Sequence, residues 1–128
     1  MPSFGTLKAD TLTHSTAGSL DTNFVVEASN KSWLNLNGST FGTRDSFNNS
    51  SATDVSTGKY DLAFTSSMSD GNFSLCTNGS RANDETITNR INNNTASGYR
   101  IQCFESDTPS TAFQDSDSVF TQIAGDLA

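Results

Sequence analysis

Histidine occurs once, at His14, and proline and cysteine occur twice each in 128 residues. One histidine near a chain end leaves no Ser/His/Asp or Cys/His relay to assemble without a mobile residue, so nucleophilic hydrolysis of that kind is not expected. Basic residues are also few, seven Lys and Arg against fourteen Asp and Glu, and the formal charge is −7. The seven are scattered, whereas phosphate backbones demand clustered cations, so no nucleic acid partner is expected. No run approaches the roughly 18 apolar residues of a membrane-spanning helix, and the opening MPSFGTLKAD lacks the basic-then-apolar order of a signal peptide. No membrane insertion is expected. The glycines are isolated, with none ahead of a Lys-Ser or Lys-Thr pair, which excludes a phosphate loop.

Cys76 and Cys103 are separated by 26 residues, too few and too far apart for a zinc knuckle. Two buried thiols are the favoured reading, with a disulfide between neighbouring strands as the alternative. Acidic pairs occur in DSDS (115–118) and NDE (83–85), but neighbours on one turn do not face each other across a cleft as glycosidase carboxyls must. Asp115, Asp117 and Asp126, or Asp70 with Asn72, lack the spacing of a calcium loop. No cofactor, metal or catalytic residue is assigned.

What the chain has is Ser, Thr and Asn, 50 residues of 128, together with nine Phe, two Tyr and one Trp. Thr and aromatic residues suit pleated, half-buried surfaces, while Asn, Ser and Gly supply turns, and helix formers are scarce. The length fits one domain. Alternation marks strands in SWLNLN (32–37), where Leu34 and Leu36 share a face and Trp33 takes the other. It also marks KYDLAFT (59–65) through Tyr60, Leu62 and Phe64, YRIQCF (99–104) through Tyr99, Ile101 and Cys103, and SVFTQIAGDL (118–127) through Val119, Thr121 and Ile123. FVVEA (24–28) reads as the first strand of the sheet region. FSLC (73–76) reads as the partner of KYDLAFT in a long-looped hairpin. Between 77 and 97, Ile87 and Ile91 fit either a helical turn or a polar strand.

About seven short strands separated by polar turns predict an all-β fold, an antiparallel β-sandwich, jelly-roll-like, over residues 24–128. Residues 1–23 read as an extended N-terminal arm whose Phe4, Leu7 and Leu12 are the candidate docking residues. Leu, Ile, Val and Phe account for only 25 residues, so the core is thin and an oligomer that completes it through sister contacts is expected. The segments 48–58, 66–72 and 77–83 read as loops, and loops on a rigid sandwich are where recognition concentrates. Their candidate surface-recognition residues are Asn48, Asn49, Asp54, Asp70, Asn72, Asn78 and Arg81, with a glycan the suitable ligand.

FGTLKADTL…STAGSL at the start, WLNLNG (33–38), RDSFN-x-SS-x-TD (44–54), TGKYDLAF (57–64), MSDGNF (68–73) and the closing IAGDLA (123–128) together resemble small virion structural proteins of marine tailed bacteriophages, of the tail-fibre-like or appendage kind. The resemblance runs over most of the chain and is weakest at 77–117. It implies an all-β, non-enzymatic virion component, assembled in the cytoplasm of the infected bacterium, and leaves its place on the particle open; with the thin core, the leading expectation is a homo-oligomer, a homotrimer, on a tail fibre or other appendage. Its partners would be other virion proteins and a host-surface glycan. Capsid decoration (cement) on the phage head and a free carbohydrate-binding module are the alternatives.

Overall fold

A computed structural model describes residues 9–81, 87–105 and 112–128. Strands β1 (Thr11–His14) and β2 (Gly18–Asp21) form a small hairpin, and helix α1 (Thr22–Ala28) follows it directly. Eight further strands complete the fold: β3 (Asn30–Asn37), β4 (Gly42–Phe47), β5 (Asn49–Ser56), β6 (Lys59–Phe64), β7 (Ser74–Ser80), β8 (Ile87–Thr95), β9 (Gly98–Glu105) and β10 (Ser118–Ala124). They make two four-stranded antiparallel sheets, ordered β4-β3-β10-β7 and β5-β6-β9-β8. The sheets pack face to face as an all-β sandwich around one core.

The core comes from the middle strands of each sheet. Leu34 and Leu36 on β3, with Val119, Thr121 and Ile123 on β10, meet Tyr60, Leu62 and Phe64 on β6 and Tyr99, Ile101 and Cys103 on β9. All sit on alternate positions, as a strand with one buried face requires. At one end Phe64, Phe73 and Tyr99 form an aromatic triad with centroids 5.5–6.1 Å apart. The four edge strands are polar. Each is hydrogen-bonded along one side by a core strand and so holds its conformation with few apolar anchors, Ala52 on β5 and Ile87 and Ile91 on β8 among them.

Several expectations need correction. FVVEA is helical, not a strand: both edges of the adjoining β3 are taken, by β4 and β10, and a helix satisfies its own backbone groups without a sheet partner. Residues 11–21 of the expected extended arm pair as a hairpin, tied at its base by Thr22 N–H donating to the Asp10 carbonyl at 2.9 Å. KYDLAFT and FSLC do not form a hairpin, because β6 pairs with β5 and β9 while β7, which begins at Ser74 within FSLC, pairs with β10 in the other sheet. The segment between them crosses the sandwich end and buries Met68. Finally, 48–58 is mostly strand β5, and 77–80 belongs to β7. Polar composition resembles a loop wherever a strand occupies a sheet edge.

The open segment 77–97 resolves as strand over β8, since residues four apart share a face at period 2 as well as at period 3.6. Both cysteines are free thiols, Cys103 buried and Cys76 exposed. Cys76 is therefore not the second buried thiol that was expected. It lies on the outer face of β7, in the opposite sheet from Cys103.

Candidate functional site

The recognition residues predicted from sequence do not converge. Asn48, Asn49, Asp70 and Asn72 lie at the sandwich end where β4 and β6 finish, Asp54 and Arg81 lie toward the opposite end, and Asn78 sits mid-strand on β7. Phe4 and Leu7 lie outside the described residues, as do Asn83, Asp84 and Glu85. Asn48, at φ 56°, is the corner where the chain leaves one sheet for the other. Its amide donates to the Lys31 and Ser66 carbonyls at 3.0 Å each, and its side-chain oxygen accepts from Ser66 N–H at 2.6 Å. The Asn49 amide is within bonding distance of Ser32 Oγ and of the Trp33 and Phe47 carbonyls. Asp70 accepts from both the backbone and side-chain nitrogens of Asn72, at 2.7 and 2.9 Å. These side chains serve corners and turns.

The N-terminal elements expose a band of large apolar side chains. Leu12 on β1, Leu20 on β2, and Phe24, Val25 and Val26 on α1 are all exposed, Val26 by 63%. α1 buries no residue, and its N-cap, Asp21, makes no side-chain capping bond. Its C-terminal end is held instead by Lys31, whose ammonium donates to the Val26 carbonyl and, at 3.0 and 2.7 Å, to the carbonyl and hydroxyl of Ser29. A cation bonded to the last carbonyls of a helix complements its dipole. Between α1 and the sandwich lies an open groove of about 610 Å³, lined by Val25, Val26, Phe47 and Leu127 with Thr65 and Ser66. Phe47 and Leu127 are exposed by 54% and 46%.

A second surface occupies the outer face of the first sheet. Trp33 on β3 lies directly across from Phe47 on β4 and Gln122 on β10. One row along, Phe120 lies across from Asn35 and Asn78. On the two middle strands ring and amide thus alternate, Trp33 beside Gln122 in one row and Asn35 beside Phe120 in the next. Trp33 and Phe120 are diagonal neighbours on adjacent strands, a relation that places Cα atoms about 7–8 Å apart. Between them runs a shallow groove of about 390 Å³, with Cys76 and Asn78 along one side. Arg44, the extra residue at the β3–β4 bulge, closes a corner by donating to Asn35 Oδ1, Ser118 Oγ and the Asp117 carbonyl.

Two buried titratable groups, Tyr60 and Cys103, and the half-buried Asp115 and Asp117 lie in and beside the core. Tyr60 Oη donates to Asp115 Oδ1 at 3.0 Å, and the same oxygen accepts from Gly58 N–H at 2.6 Å. Asp115 is thus a structural acceptor. Asp117 accepts from Ser39 Oγ at 2.5 Å. Burial pushes the Tyr60 hydroxyl above its usual range, with Asp115 adding to the effect. It also pushes the Cys103 thiol up to about 12, which keeps the sulfur protonated and unreactive at neutral pH. Among the described residues no three His, Cys, Asp or Glu side chains group closely enough to hold a metal ion.

Sequence reading placed Trp33 on the outer face but missed Phe120 and Gln122 beside it. The signal was present: in SVFTQIA the inward phase of Val119, Thr121 and Ile123 sends Phe120 and Gln122 outward. What single-strand periodicity does not carry is that β10 pairs with β3 in the register that sets these residues beside Trp33. Comparison with known proteins returns no matching family model, no matching curated protein and no matching solved structure.

Proposed function

We propose that this chain is a non-enzymatic structural protein of a tailed-phage particle, carried on a tail fibre or other appendage as a homo-oligomer, a trimer, and contacting glycan on the host surface. The observation that carries the assembly part is the uncovered apolar band of Leu12, Leu20, Phe24, Val25 and Val26, continued across the groove by Phe47 and Leu127. Contiguous exposed apolar surface marks interaction sites. Covering it with a sister chain supplies the apolar burial that a core of 13 buried hydrophobic residues among those described leaves short. The phage context rests on the sequence resemblance. The bonded state of Asp115 and the burial of Cys103 fit a non-enzymatic role.

Light scattering on the purified chain, with a Phe24→Ser/Val26→Ser variant beside it, tests this reading. The wild type should run as a trimer and the variant as a folded monomer. A stable wild-type monomer that is absent from purified particles would overturn it. A head decoration role is the second reading, favoured by the β1–β2 hairpin, which leaves the sandwich and offers Leu12 and Leu20 to an adjacent subunit. Locating the chain in a particle reconstruction separates appendage from head.

A further inference from the structure

We propose that the outer face of the β4-β3-β10-β7 sheet is the glycan-binding site, that its ligand is an uncharged saccharide chain, and that Trp33 and Phe120 are the rings on which successive sugar units stack. The inference rests on the reading of the chain as a non-enzymatic surface-contact protein; the face adjoins the assembly band at Phe47, but its groove is lined by other residues.

The chemistry of the face selects the ligand. A pyranose has C–H bonds on its flat faces and hydroxyls round its edge, so it needs an aromatic ring below and hydrogen-bonding groups beside it. The electron-rich ring face attracts the polarised C–H bonds, and the polar handle of Trp adds a donor. Trp33 has Gln122 directly across, and Phe120 has Asn35 and Asn78, one on each side. Gln122 offers donors and an acceptor together, which matches hydroxyls that both donate and accept, while Asn35 and Asn78, whose side-chain oxygens accept from Arg44 and from Gly79 N–H, offer their amide protons to hydroxyl oxygens. Among the described residues no hydrogen bond engages the Gln122 side chain or the Trp33 indole N–H, so both are open to a ligand. The groove, at about 390 Å³, lies within the roughly 300–1,000 Å³ usual for small-ligand sites.

Other occupants fit less well. A second copy docked on this face would bury the Gln122 amide and the remaining amide protons of Asn35 and Asn78 among rings, and a buried polar group without a partner bears its full desolvation penalty. An acidic polysaccharide would meet a chain of formal charge −7, with Asp45 on the same row as Asn35. The adjacent cation, Arg44, already donates to three oxygens. An uncharged saccharide incurs neither penalty.

The test uses the full chain on an array of immobilised neutral oligosaccharides of glucose, galactose, mannose and N-acetylglucosamine, with sialylated and sulfated chains alongside. Hits are then titrated in solution. Trp33 is the sole tryptophan, so its emission reports the site directly. Binding of at least one neutral series with a saturable shift in Trp33 emission is expected. Trp33→Ala, read by calorimetry, and Phe120→Ala should each weaken that binding about tenfold or more, and Gln122→Ala by about threefold. Thermal melts identify any variant that fails to fold, and Phe120→Leu then replaces Phe120→Ala. An array bound only by acidic chains, a blank array, or binding that survives loss of both rings would overturn the assignment. None of these outcomes changes the oligomeric state, so failure here and failure of the assembly reading are distinguishable.

Discussion

Tyr60 and Asp115 are joined across the mouth of the sandwich: the phenol of a fully buried strand residue donates to a carboxylate carried by the segment that leads into β10. The same carboxylate oxygen takes the Gly58 N–H, so one side chain closes the β5–β6 turn and satisfies a buried hydroxyl. Asp115→Ala removes the shared acceptor of both bonds and should cost about 2–4 kcal/mol, because buried donors left unpaired bear their full desolvation penalty. Tyr60→Phe removes a single donor while Gly58 still holds Asp115, and should cost about 1–2 kcal/mol. Urea unfolding of both variants and their double mutant checks this. The double mutant should be no less stable than Asp115→Ala.

Alkaline pH should unfold the chain through three buried acids. The Cys103 thiol rises from 9.0 to about 12, the Tyr99 hydroxyl rises from 10.0 to about 12 through burial, and Tyr60 rises in the same direction. Each holds its proton longer folded than unfolded, so its stabilisation is complete below the unfolded value and is lost as pH climbs through the folded one. Each group costs about 1.4 kcal/mol per pH unit across its window. Unfolding free energy should therefore be level near pH 8, fall between pH 9 and 10 through Cys103, and fall more steeply above 10. Cys103→Ala should remove the pH 9–10 decline and leave the steeper one. Urea titrations at half-unit pH steps measure it.

The middle strands were legible because they obey one rule: Tyr60, Leu62 and Phe64, like Tyr99, Ile101 and Cys103, alternate without interruption. Edge strands escape that rule. In NSSATDVS only Ala52 packs against the core, so β5 holds its strand conformation because β6 offers it a ladder and not because of its own residues. Asn48 shows why the recognition residues misled. An exposed Asn beside an aromatic has the same composition whether it binds a ligand or turns a corner, and only the fold reveals that its amide is bonded to Lys31 and Ser66. The site face fails to read for a related cause. Each ring and amide is placed by its own strand, but their juxtaposition is a property of strand order.

Asn48 separates backbone conformation from side-chain bonding. At φ 56° a residue with a β-carbon is strained by about 1–2 kcal/mol, while the amide ties Lys31 and Ser66 together. Asn48→Ala loses the bonds and retains the strain, and should cost about 3–4 kcal/mol. Asn48→Gly also loses the bonds but relieves the strain, and should recover about 1 kcal/mol of that loss. Thermal unfolding of the two variants checks the ranking. Equal stability would mean that the corner is set by the strands on either side.

Helix α1 should be the least protected element of the described chain. It spans seven residues, buries none of them and has no N-cap bond, whereas helices shorter than roughly 12–15 residues are marginal in water without packing. Its anchor is Lys31, whose ammonium bonds the Val26 and Ser29 carbonyls. Lys31→Met preserves the aliphatic stem, which is only 8% exposed, and removes those bonds. Hydrogen exchange of the variant, taken at a protein concentration where the wild type is dissociated, should quicken across 22–28 by about fivefold or more, as expected for a local loss near 1 kcal/mol. Exchange in β6 and β9 should be unchanged, because those amides open only with the whole sandwich. Slower exchange across 22–28 on assembly, in wild type but not in Phe24→Ser/Val26→Ser, would then place the sister-chain contact on this helix.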